Sequence, residues 1–101
     1  MKKEISISVA AVSLLATSIA AFGFTGDQYA REARISIAQA RAAALKAHPG
    51  KIADEELEKE PGGSGLRYSF GIASSGGLQE VGVDAQSGAI LENKAEGHNP
   101  D

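Results

Sequence analysis

Two histidines, a run of carboxylates, a glycine-rich loop and a scatter of serines are the groups to weigh for chemistry in this 101-residue sequence. It has no cysteine, so it can form no disulfide, no thiolate zinc site and no cysteine nucleophile, and it cannot carry a bacterial lipoprotein anchor. His48 precedes a Pro-Gly pair and His98 lies in a polar tail. Two histidines so far apart make a poor ligand pair, and a cationic His48 suits the negative end of a helix, so no metal site is assigned. Asp54, Glu55, Glu56, Glu58 and Glu60 could gather a calcium ion or offer paired carboxylates. On a strand, however, they alternate between faces and do not converge, which favours a solvated edge. Asp84-Ala85-Gln86-Ser87-Gly88 superficially has the look of a calcium loop, but it lacks the further carboxylates and the distal glutamate and reads as a turn. Gly62-Gly63-Ser64-Gly65 could cradle a phosphate, yet no lysine follows and a strand pattern comes next, so the anion-binding helix end is missing. No serine has a positioned base. The expectation is therefore no catalytic, metal or cofactor-binding residue, hence no enzyme, and a binding surface the sequence does not locate.

The elements that would position such groups are clearer. Ser36 followed by Gln39 is a capping box, with Ile35 before it as a weak staple onto Ala40. Ile37, Ala40, Ala44, Leu45 and Ala47 make one apolar stripe. His48-Pro49-Gly50 ends the helix, and its many alanines suit close approach to a sheet. Residues 51–60 favour a helix by propensity, but only Ile52 and Leu57 are large and apolar. The rival is a charged edge strand. Because these two residues differ in parity, that strand needs a bulge to bury both. Leu66, Tyr68, Phe70 and Ile72 alternate with Arg67, Ser69, Gly71 and Ala73, the clearest strand in the chain. Ser74 to Gly77 is a hairpin connection, Leu78 to Asp84 the next strand, and Ala89 to Lys94 a last short one. Short turns make these strands antiparallel. The fold class is α+β: one amphipathic helix covering a three- to four-stranded antiparallel sheet, with Tyr68 and Phe70 at the centre of the core.

Met1-Lys2-Lys3, then an apolar stretch from Ile5 to Ala16, then small residues form the order of a signal peptide. Cleavage is expected after Ala20, with Ala21 next. The alternative is a retained anchor, since the uncharged run from Ile5 to Gly26 is nominally long enough to span a bilayer, though rich in Ser, Ala and Thr. The resulting division is a signal peptide over 1–20, a tether over 21–34 (helical from Asp27 to Ala33), a domain over 35–96 and a disordered tail over 97–101. About 80 residues then remain, near the lower limit for a self-sufficient core. The net charge is −3, and Lys2, Lys3 and Glu4 contribute +1, leaving −4 on the remainder. That argues against nucleic acid, and the absence of tryptophan argues against a stacking platform.

Taken in order, Ser36 to Ala40, His48-Pro49-Gly50-Lys51-Ile52, Glu56-Leu57-Glu58, Leu66 to Ile72 and Glu80 to Leu91 resemble the PepSY domain family from Ile35 to Glu96. The most specific stretch is Val81-Gly82-Val83-Asp84-Ala85-Gln86-Ser87-Gly88. The resemblance implies a helix on an antiparallel sheet and tips residues 51–60 toward strand. It also implies a domain that works outside the cytoplasm, as in propeptides of thermolysin-like proteases and small secreted proteins, where inhibition or regulation of peptidases is proposed. The expected function is an exported, periplasmic or secreted binding module whose partner is a peptidase or other envelope protein, with membrane contact only through the signal segment. The alternative is an envelope ligand-binding or sensor module with no protease target. No protease or membrane domain is attached, so a target would be reached in trans. Gly82 stands where a bulkier residue is expected between two valines, which marks a bulge or thin spot.

Overall fold

A computed structural model describes residues 23–96. The expected signal segment over 1–20 and tail over 97–101 lie outside these residues. Among the described residues no helix is long and apolar enough to cross a membrane.

The chain runs through a 3₁₀ helix (Asp27–Glu32), helix α1 (Ile37–Ala47) and strands β1 (Lys51–Lys59), β2 (Leu66–Ser74), β3 (Gly77–Asp84) and β4 (Ile90–Ala95). The strands form one antiparallel meander in the order β1-β2-β3-β4. Helix α1 starts at the expected box: Ser36 Oγ accepts from Gln39 N at 3.1 Å and Gln39 Oε1 accepts from Ser36 N at 2.8 Å. It stops where His48 N–H donates to Ala44 O, ahead of Pro49. Ile37, Ala40 and Ala44 are the buried positions of the helix. Ala40 and Ala44 are wholly buried, so their small side chains bring the helix backbone close to the sheet.

Residues 51–59 form a strand, since pairing with β2 outweighs a helix propensity that little apolar surface supports. Its register shifts between Ile52 and Asp54, the bulge that the parity of Ile52 and Leu57 demands. Leu57 is 1 % exposed and Ile52 packs against the same core. That core lies under α1 and contains Leu57, Tyr68, Phe70, Ile72, Val81 and Val83. Burying the Phe70 side chain contributes about 2–3 kcal/mol. The Tyr68 hydroxyl donates to Ile35 O at 2.8 Å, so the polar tip of this buried ring is satisfied.

The segment expected to be a tether is packed onto the domain. Phe24 is 7 % exposed and its ring lies 6.4 Å from that of Tyr68. Thr25 O accepts from Leu57 N at 2.8 Å, and Thr25 bridges Glu56 in parallel along the outer side of β1. Gly26 permits this: its φ is +86°, and a Cβ there would collide with Leu57 O. Lys59 reaches back to pair with Glu32 at 2.9 Å and to sit 5.1 Å over the Tyr29 ring.

Candidate binding surface

The strand pairing decides which side chains turn away from α1. They are Asp54, Glu56 and Glu58 on β1, Arg67, Ser69 and Gly71 on β2, Glu80, Gly82 and Asp84 on β3, and Glu92 and Lys94 on β4. No second layer covers this side among the described residues, yet Arg67 is 9 % and Ser69 5 % exposed. The cover comes from neighbouring long side chains. Arg67 Nη1 donates to Glu92 Oε1 at 3.2 Å and Nη2 to Pro61 O at 3.2 Å. Its Nε lies 3.9 Å from Glu60 Oε1 and makes no hydrogen bond. The Ser69 hydroxyl donates to Glu58 Oε2 at 2.8 Å. A Cβ on Gly82 would stand 3.3 Å from Arg67 Cδ, so the glycine makes room for the arginine stem. The β3–β4 register also shifts between Gly82 and Val83, where the extra residue, Leu91, lies on β4 opposite this glycine's end of β3.

Beyond Arg67 the face opens into a recess of about 340 Å³ above Gly71, walled by Asp54 and Glu56 on one side and Glu80 and Glu96 on the other. Among the described residues Asp54, Glu56 and Glu80 have no cation within ion-pairing distance. Burial, then the charges of Glu92 and Glu96, push the Glu80 carboxyl above its ordinary pKa. The hydrogen bond with Glu58 does the same to Glu60. No three described His, Asp or Glu side chains come close enough to share a metal ion. What the arrangement can accept is a spread positive group.

The residues weighed earlier for chemistry are not brought together. His48 Nε2 lies 3.4 Å from Ser74 Oγ at the far end of α1, and His98 lies outside the described residues. The acidic run divides as expected for a strand: Asp54, Glu56 and Glu58 face outward, whereas Glu55 lies under the helix and takes both Arg41 Nε at 2.8 Å and Nη2 at 2.7 Å. The Asp84 turn and the glycine-rich loop, separate in the sequence, meet. Asp84 Oδ2 accepts from Gln86 N, Ser87 N and Ser87 Oγ, and Oδ1 accepts from Ser64 N at 2.7 Å. Burial alone would raise this carboxyl, but the Ser64 and Ser87 donors outweigh it and hold it well below the usual range. Asp84 is thus a structural clamp, 2 % exposed.

The two edges of the sheet differ. Thr25 lies against the outer side of β1 at Glu56 and Leu57. Beside β4 no strand lies among the described residues. Glu96 N–H donates to Leu78 O in register with the Gln79–Ala95 pair. By the alternation of an antiparallel ladder, Glu92 and Lys94 therefore turn their backbone groups into the sheet, whereas Asn93 and Ala95 turn theirs outward.

A family model described as PepSY, the peptidase propeptide and YPEB domain, matches residues 34–94. No curated protein and no solved structure shows a significant match.

Proposed function

The chain belongs to the PepSY family of propeptide and regulatory domains, and from this we propose that it is an exported, non-catalytic binding module that restrains or modulates a peptidase in the bacterial envelope or outside the cell. One observation carries this reading: the matched stretch takes in α1 and essentially the whole of the four-stranded sheet, so the unit associated with peptidase propeptides is the folded unit of this chain. Such a unit acts by contact, filling a cleft or adding a strand, and needs no reactive group. Export is supported by the residue order from Met1 to Ala21. The test is to add the purified protein to envelope and secreted peptidases of the source cells. The expected result is a dose-dependent loss of hydrolysis and a co-purifying peptidase; unchanged hydrolysis with no such partner overturns the proposal. Intact-mass measurement of exported material checks the cleavage, which a mass retaining Met1 to Ala20 refutes.

The alternative, an envelope ligand-binding module, draws its support from the carboxylate-walled recess above Gly71. Its mark would be a bound cationic small molecule detected by mass spectrometry in protein isolated without any partner chain.

A further inference from the structure

We propose that β4 pairs with β4 of a second copy of this chain, antiparallel, about a two-fold axis through Asn93. Three observations converge on this edge. Thr25 takes up part of the other edge, at Glu56 and Leu57, whereas no strand or bridge among the described residues lies against the outer side of β4. The outward backbone groups of β4 belong to Asn93 and Ala95, and an axis through Asn93 sets those of Asn93 against those of Asn93 in the second copy, with Ala95 falling opposite Leu91, the extra residue of the bulge. The same register sets Glu92 of each copy opposite Lys94 of the other on the acidic side of the sheet, giving two complementary pairs. An axis through Glu92 or Lys94 instead would oppose like charges.

β4 is guarded only in part, by Lys94 and by the bulge at Leu91, which shorten the stretch free to pair. It has no proline, and its two charges next to the axis are of opposite sign, so they do not repel a second copy. The exposed side chain of Asn93 lies on the α1 side, where Gln79 Nε2 donates to its Oδ1 at 2.8 Å. The product is an eight-stranded sheet with both helices on one side and both acidic faces on the other. The interface is isologous and closed. A pair of six-residue strands is small beside the roughly 1,200–2,000 Å² that stable complexes bury, so the dimer is weak and concentration-dependent. The pairing does not depend on the partner being a peptidase.

The test is sedimentation velocity on the purified chain across a concentration series, with amide exchange read at low and high concentration. Wild type should pass from monomer to dimer, with exchange at Asn93 and Ala95 slowing as it does so and Lys94 unchanged. Asn93→Asp keeps an oxygen for Gln79, so the melting temperature holds. It sets two carboxylates across the axis, and the dimer dissociation constant should rise at least tenfold. Lys94→Glu should weaken the dimer in the same direction. A chain that stays monomeric at its highest soluble concentration overturns the proposal. So does a dimer that Asn93→Asp leaves intact, or protection of Asn93 and Ala95 seen only with another protein, which would assign the edge to a foreign strand.

Discussion

On the side of β2 beneath α1, Tyr68, Phe70 and Ile72 are hidden from water by the helix and by neighbouring apolar residues. On the reverse side of the same strand, Arg67 and Ser69 are almost as well hidden, but by carboxylate side chains folded over them. Comparable burial therefore rests on different physics. The first face is held by transfer of apolar surface out of water, which adds up residue by residue. The second is held by charge pairs and hydrogen bonds whose desolvation cost nearly offsets their attraction. Stability should reside under the helix, leaving the reverse face free to vary with the partner it meets.

Three substitutions can break or sharpen that contrast. The largest effect is expected from Phe70→Ala, which leaves a cavity at the centre of the apolar face and should cost about 3–5 kcal/mol. In a domain this small that means unfolding or a steep fall in melting temperature, read by circular dichroism; an unchanged melting point would refute the assignment of the core. Next is Asp84→Ala, at the end of the reverse face, where several donors lose a buried charged acceptor. A loss of about 2–3 kcal/mol is expected in urea unfolding. Because the folded-state pKa of Asp84 lies below the unfolded value, its contribution is complete above about pH 4 and fades as the pH falls further. The variant should therefore lose less stability than wild type on acidification below pH 4, and parallel pH curves would discount the clamp. The smallest effect is expected from Arg67→Met, which exchanges a buried cation with an unsatisfied Nε for an apolar stem of similar reach. Glu92 loses this partner but is partly exposed and keeps Lys94 at 3.1 Å, so the cost should be about 1–2 kcal/mol. A loss as large as that of Phe70→Ala would erase the distinction between the faces.

How much of this was legible in the residues depends on range. The start and stop of α1 rest on neighbours a few positions apart, Ser36 with Gln39 and His48 with Pro49, and were readable to the residue. The β1 bulge follows from the parity of Ile52 and Leu57 once residues 51–60 are a strand, a choice that the residues left open against a helix and that the family resemblance tipped. The meander followed from alternation and short turns. The cover over Arg67 was not readable, because it depends on the β3–β4 register that carries Glu92 across. The meeting of Ser64 with Asp84 joins loops twenty positions apart. Phe24 sits alone among glycine and threonine, with no period to mark it as core. The recess above Gly71 depends on the β1–β2 register, which sets Asp54 opposite it. The choice between edges was open until Thr25 was seen against β1.

The clasp made by Phe24, Thr25 and Gly26 bears on what self-recognition could become. A fragment cut to begin at Arg34 would keep every strand but bare the flank of β1. If β4 pairs with its copy, each molecule would then offer a second border open along its whole length, and a stacking that ends at a pair would continue without limit. A dozen residues ahead of the helix would then separate a soluble couple from a growing fibre.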